Sequence, residues 1–151
     1  MMRKNKKIMP TTYLLVSLVL MAGLHLVLPV MRIIPPFWSL LGLVPLAAGV
    51  VINLVADKAF RDAKTTVKPF EESSALVTSG VFRFSRNPMY LGFVLILVGT
   101  AVLMRSLTPY AVVLAFGILI DRKYIAVEER MLAETFGADW AAYRKSTRRW
   151  L

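Results

Sequence analysis

The chain has 151 residues, no cysteine and one histidine, which excludes disulfides and thiolate metal sites and leaves no histidine-rich cluster for a first-row metal. Hydrophobic residues make up 57% of it, the mean hydropathy is +0.61, and the apolar residues fall in long uninterrupted runs, unlike a soluble domain. The formal charge of +10 suggests nucleic acid only until the positions of the basic residues are read.

Arg3, Lys4, Lys6 and Lys7 precede a run from Thr11 to Met31 that has no Asp, Glu, Lys or Arg. About 20 such residues cross a hydrocarbon core, so 11–31 is predicted as the first transmembrane helix. The run is too long for a cleaved signal peptide, and no small-residue cleavage site follows it. His25 within it reads as a helix-packing or lumen-facing histidine. A second span is predicted over 33–56, with Pro35 and Pro36 in its entry turn and a kink at Pro45. The chain then turns polar, with Lys58, Arg61, Lys64 and Lys68 against Asp57 and Asp62, and Pro69, Glu71, Glu72 and Ser73 end any continuous helix. A third span is predicted over 87–104, followed by a tight turn at Arg105, Ser106, Thr108 and Pro109. The apolar stretch from Ser106 to Ile120 falls short of the roughly 17–25 residues of a spanning helix. It crosses as 106–123 if Asp121, Arg122 and Lys123 lie at the interface, where long basic chains snorkel. The helix then continues through Tyr124 into Glu128 and Glu129.

Four crossings put both termini and the 57–86 connection on one side. That side carries seventeen of the nineteen basic residues, leaving Arg32 and Arg105 opposite, and by the positive-inside bias it is the cytoplasm. All nine acidic residues lie there too, so the charge is a topology signal and nucleic acid is not a partner.

The most informative stretch is Leu76 to Tyr90, L-V-T-S-G-V-F-R-F-S-R-N-P-M-Y. Pro88 disfavours the α conformation at Asn87 yet suits the first turn of a helix starting there. The stretch delivers Ser85, Arg86 and Asn87 to the mouth of that helix, whose free N–H groups favour a polar or anionic ligand. A positively charged topology loop is the competing reading. Further on, Leu132, Phe136, Trp140 and Tyr143 form an amphipathic stripe, read as an interfacial helix with an aromatic belt and interrupted near Gly137. The adjacent carboxylates Glu128 and Glu129 face different directions where a helix leaves the membrane. One is placed to pair with Arg86 or Arg83 and the other to hold a cationic ligand; a solvated pair is the plain alternative.

The pattern L-V-T-S-G-V-F-R-F-S-R-N-P-M-Y-L-G, followed some forty residues later by E-E-R-M-L-A-E-T-F-G-A-D-W-A-A-Y, resembles the isoprenylcysteine carboxyl methyltransferase and phospholipid methyltransferase superfamily. Those are integral membrane enzymes that use S-adenosylmethionine, and the likeness covers roughly Leu76 to Trp150. It implies a cofactor segment at Ser74, Ala75, Leu76 and Val77. A family tyrosine is replaced by Phe82, which keeps a ring and loses a hydroxyl. The family's Arg-His-Pro-x-Tyr falls on Arg86, Asn87, Pro88, Met89 and Tyr90; Asn87 still hydrogen-bonds but carries no charge. The acidic pair Glu128 and Glu129 is expected to bind hydroxyl or ammonium groups of the cofactor. Where the carboxyl methyltransferases carry an arginine for substrate, four residues before the first glutamate, this chain has Tyr124.

The resemblance makes the chemistry an in-line displacement, in which holding donor and acceptor in line supplies much of the rate. Aromatic faces such as Phe82 and Tyr90 favour a sulfonium. A carboxylate or thiolate acceptor needs no base, whereas an ammonium acceptor must first lose a proton. No catalytic residue is assigned and no metal is expected. The expected molecule is an all-α polytopic membrane protein: four transmembrane helices plus a C-terminal amphipathic cytoplasmic helix, in one domain over 1–151. Its cofactor-site segments are 74–90 and 124–150, and its host is expected to be a bacterial or archaeal cell membrane. The expected function is methyl transfer from S-adenosylmethionine to a lipophilic acceptor, small molecule or lipid, at the cytoplasmic face. The alternatives are a prenylcysteine-type carboxyl O-methyltransferase and a non-enzymatic membrane protein reusing the fold.

Overall fold

The computed structural model describes residues 8–66, 71 and 73–151. The basic arm at 3–7, together with Lys68, Pro69 and Glu72, lies outside the described residues. The described chain is helical: α1 (Pro10–Val27), α2 (Pro36–Ser39), α3 (Leu43–Asp62), α4 (Pro88–Met104), α5 (Thr108–Ile120) and α6 (Ala126–Ser146). Short 3₁₀ turns at Leu40–Gly42 and Gly80–Arg83 and a π turn at Asp121–Ile125 complete it. Both α1 and the continuous helical stretch Pro36–Asp62 are long and apolar enough to cross a membrane, and α4 is a shorter apolar helix. Their outer faces expose Leu15, Val19, Leu26, Val44 and Leu54, a cost in water that vanishes against lipid.

The first helix ends at Val27, four residues short of the predicted 11–31 span. Pro29 explains the stop, because the residue before a proline is driven out of the α region, and Leu28 has φ −137° and ψ 64°. The second span starts later and runs further than the predicted 33–56, from Pro36 to Asp62. Pro45 sits in the first turn of α3, and the carbonyl its ring crowds, that of Leu41, lies in the 3₁₀ turn Leu40–Gly42. The expected kink is thus taken up as a tightened turn. Asn87 and Pro88 behave as read: Asn87 is the N-cap, outside the α region (φ −128°, ψ 55°), and Pro88 opens α4.

Helix α4 is the central post, packed on α3, α5 and α1. Its core is Tyr90, Phe93, Leu97 and Ala101, set against Leu14 and Met21 of α1 and Val113, Phe116 and Ile120 of α5. Against α3 it approaches backbone to backbone. A Cβ on Gly49 would lie 2.4 Å from the Gly92 carbonyl oxygen, and one on Gly42 would lie 2.5 Å from that of Gly99. Only glycine permits that spacing.

The two short connections meet at one end of the bundle. The Ile33 N–H donates to the Arg105 carbonyl (2.9 Å), the Leu107 N–H to that of Met31 (3.0 Å), and the Arg105 Nε–H to that of Ile34 (3.1 Å). His25 joins them through Nδ1 and the buried Ser106 hydroxyl at 2.7 Å, so it is a packing histidine. At the opposite end Lys123 donates to the Tyr13 hydroxyl and Tyr124 to the Ile8 carbonyl, which joins the start of α1 to the end of α5.

Candidate functional site

The continuous run α5–π turn–α6 carries the acidic pair to the end of the bundle where α4 begins, beside the Ser85–Asn87 corner. Adjacent helical residues point about 100° apart, and the two glutamates divide accordingly. Glu129 turns to the arginines: Arg86 Nη2 donates to it at 2.9 Å, and Arg149 donates through Nη2 at 2.6 Å and Nε at 3.2 Å. Glu128 accepts the Tyr90 hydroxyl at 2.6 Å and faces a cavity. Burial pushes its carboxyl up to about 7, with the Tyr90 hydrogen bond pulling the other way.

Two chambers share one wall. The apolar chamber is lined by Met9, Pro10 and Thr11 at the start of α1 and by Pro88, Met89, Tyr90 and Phe93 of α4. The more polar chamber is lined by Ala75, Leu76 and Val77, by Thr66, Glu71 and Ser73, and by Met131, Leu132, Thr135, Trp140 and Tyr143 of α6. Phe60, Phe82, Arg86, Asn87 and Glu128 line both. The Phe60 and Phe82 rings meet edge to face at 5.1 Å. Phe82 is fixed from behind, because Tyr143 donates its hydroxyl to the Phe82 carbonyl at 2.6 Å. Arg86 lies over the Trp140 ring at 5.5 Å, and its buried Nε finds no partner among the described residues. A buried guanidinium N–H left unpaired at a cavity wall fits a polar ligand that would accept from it.

The structure therefore gathers Ala75, Leu76, Val77, Phe82, Arg86, Asn87, Pro88, Met89, Tyr90 and Glu128 around the chambers. Three expected site residues do not line them. Ser74 is tied back to the end of α3, accepting nothing from the chambers: its N–H donates to the Thr65 hydroxyl (3.0 Å) and its hydroxyl to the Lys64 carbonyl (3.1 Å). Glu129 is held by its two arginines. Tyr124 is fully buried behind Tyr90, with ring centroids 6.3 Å apart, so it forms backing and not surface. Asn87 spends its amide on structure, donating to the Arg149 carbonyl at 3.0 Å.

The aromatic stripe of α6 also differs from its reading as a belt. Trp140 and Tyr143 are buried against Ala56 and Phe82, with Leu132 and Phe136 packed alongside, so the stripe closes the polar chamber. Gly137 breaks the helix as expected (φ 46°, ψ −110°). Sequence reasoning missed Phe60 and Glu71, and it did not single out Met131 and Thr135 within the expected site segment 124–150. Met131, Leu132 and Thr135 follow Glu128 at i+3, i+4 and i+7, a helical face legible once Glu128 was singled out.

An all-helical bundle with lipid-facing apolar surfaces and a two-chambered site at one end defines an intramembrane helical protein. The family model for phospholipid methyltransferases matches residues 37–139, and the chain belongs to that family. It is 35% identical over 112 residues to a probable protein-S-isoprenylcysteine O-methyltransferase of Oryza sativa subsp. indica, covering 71% of this chain and 57% of that one. It is 38% identical over 80 residues to protein-S-isoprenylcysteine O-methyltransferase A of Arabidopsis thaliana, covering 51% of this chain and 39% of the relative. The solved structure of the eukaryotic intramembrane Ras methyltransferase, an isoprenylcysteine carboxyl methyltransferase, superposes with a TM-score of 0.68 at 28% identity. That match covers 93% of this chain and 51% of the other. The chain thus spans about half the length of the relatives it matches.

Proposed function

We propose that the chain is a membrane methyltransferase that takes S-adenosylmethionine into the polar chamber and a lipophilic acceptor into the apolar one. The observation that carries this reading is the shared wall: Phe82, Arg86 and Glu128 face both chambers, so a donor in one and an acceptor in the other meet there. Bound S-adenosylmethionine would supply an electrophilic methyl on a sulfonium, with Glu128 and the Phe60 and Phe82 rings as cation-favouring neighbours. Arg86 would hold polar groups through its unpaired Nε, and the α6 stripe would exclude water. Holding the two reactants in line is the main contribution such a site makes.

The family membership and the fold support crossings by α1, by Pro36–Asp62, by α4 and by α5 extended through the π turn. The site then lies at the cytoplasmic face, where the basic residues concentrate. Calorimetric titration with S-adenosylmethionine tests the reading, and a non-enzymatic protein reusing the fold would show no heat of binding. The second reading, a prenylcysteine carboxylate as acceptor, takes its support from the names of the relatives. Against it, Arg86 is the single cation lining the apolar chamber among the described residues, and it is engaged by Glu129, while the Glu128 carboxylate faces that chamber. An amine-bearing or uncharged acceptor meets no such repulsion. Turnover of a prenylcysteine analogue against phosphatidylethanolamine, with labelled cofactor, decides between them; robust activity on the carboxylate overturns the preference.

A further inference from the structure

After α6 the chain leaves the helix at Thr147 in extended conformation (φ −130°, ψ 135°) and runs back along the Ser85–Asn87 corner. The contacts are dense for so short a segment. The Arg86 N–H donates to the Arg148 carbonyl at 3.0 Å, and the Arg149 carbonyl accepts from Ser85 Oγ (3.3 Å) and Asn87 Nδ2 (3.0 Å). The Arg149 guanidinium uses three nitrogens. Nη2 and Nε form a fork on Glu129, and Nη1 reaches both carboxylate oxygens of Asp121 at 3.3 Å. Trp150 adds an Nε1–H to Asp121 at 3.3 Å.

The π turn makes this bridge possible. Asp121 and Glu129 are eight residues apart, which in a plain α-helix leaves them about 80° out of line. A π turn holds roughly one more residue per turn, so eight residues come close to two full turns and both carboxylates face Arg149. Asp121 stands in the π turn and Glu129 in the first turn of α6. Glu129 Oε1 then accepts from Arg86 as well, which fixes the guanidinium that lines both chambers. With Glu129 held on that side, Glu128 is left facing the cavity.

We propose that Arg149, in the strap Thr147–Trp150, is a positioning residue for the site: it locks Glu129 and the Ser85–Asn87 corner and so sets Arg86 and Glu128. It lines neither chamber and acts through those residues. The inference rests on the proposed cofactor reading for its functional consequence, though not for its structural one. The Glu129 hydrogen bond raises the Arg149 pKa, outweighing the burial that disfavours its charge.

The test compares Arg149→Ala, Arg149→Lys and Arg148→Ala in the full chain in detergent. Arg148→Ala removes the same charge from the same strap but leaves its carbonyl in place. S-adenosylmethionine affinity should fall tenfold or more in Arg149→Ala. It should recover only partly in Arg149→Lys, because an ammonium cannot bridge two carboxylates as a planar fork does, and it should hold within twofold in Arg148→Ala. Hydrogen exchange at the Arg86 amide should quicken in Arg149→Ala alone. Equal affinities for Arg149→Ala and Arg148→Ala would overturn the positioning role. If the wild type binds no S-adenosylmethionine the cofactor reading fails, and the exchange measurement still judges the strap: Arg86 protection unchanged by Arg149→Ala overturns it.

Discussion

Glu128 is the residue on which the proposed chemistry turns, and its neighbours give it a pH signature. Its carboxyl is pushed up by burial from the ordinary carboxylate range to about 7. A raised carboxyl favours the fold below the unfolded value, and that contribution fades as pH climbs through about 7. A cation bound beside it reverses the preference, so binding should expel a proton below pH 7. S-adenosylmethionine affinity is expected to rise about tenfold per pH unit up to about 7 and to level off above it, as calorimetry at pH 6 and pH 8 would read. Glu128→Gln should remove that slope and weaken binding by about 1.5–3 kcal/mol, whereas Glu134→Gln, at an exposed residue that lines neither chamber, should change little. Equal effects of the two substitutions would mean a diffuse acidic face and no site. Tyr124 carries the contrary lesson. Standing where the resemblance puts a substrate-binding arginine, it is expected at the acceptor, and Tyr124→Arg would then improve carboxylate turnover. Buried behind Tyr90 with its hydroxyl on Ile8, it instead predicts a loss. Tyr124→Phe should cost about 1 kcal/mol, and Tyr124→Arg should lower the melting temperature further by burying a cation. A gain in prenylcysteine turnover from Tyr124→Arg would place position 124 at the acceptor after all.

Among the elements, the α3–α4 pair holds the frame on which the corner and the chambers hang. Its seam is built of facing glycines and so has no room to give. Gly49→Ala would drive a methyl into the Gly92 carbonyl, and about 1–3 kcal/mol of stability should be lost. Gly23→Ala is the matched control, since nothing lies within 4 Å of its added methyl, and alanine suits a helix better. Thermal unfolding of both variants in detergent checks this, and an unchanged midpoint for Gly49→Ala would mean that the two helices separate at little cost. The α6 stripe matters in the same way. Its rings pack on Phe82 and Ala56 and thereby wall the polar chamber, a use that periodicity cannot distinguish from an interfacial belt because both demand the same spacing.

For the whole molecule, the test is sidedness. Absence of native cysteine lets single introduced thiols report it cleanly. Ser146 is exposed and serves as the reporter for the side expected to be cytoplasmic. Ser106 would have been the natural opposite reporter, but it is fully buried against His25, so the exposed Leu107 beside it takes its place. Ser146→Cys should react with an impermeant reagent from the cytoplasmic side and Leu107→Cys only from the other. Labelling of Leu107→Cys from the cytoplasmic side would overturn the four-crossing arrangement.

Much of this architecture follows from local physics. Long runs without charge dictate helices against lipid, Asn87-Pro88 dictates where α4 begins, and Gly137 dictates a break, because each depends on neighbours a few residues away. Ala75 to Val77, Arg86 to Tyr90 and Glu128 were expected together only through the family resemblance, since no local interaction links stretches so far apart in the chain. What only the tertiary structure decided is the partition among chemically similar groups. Two adjacent glutamates become an anchor and a cavity wall because a π turn and the distant Arg149 select one of them. Tyr90 becomes surface and Tyr124 backing because α1 covers the second ring. Such choices depend on contacts between residues twenty to more than a hundred positions apart, and no local pattern in the chain encodes them.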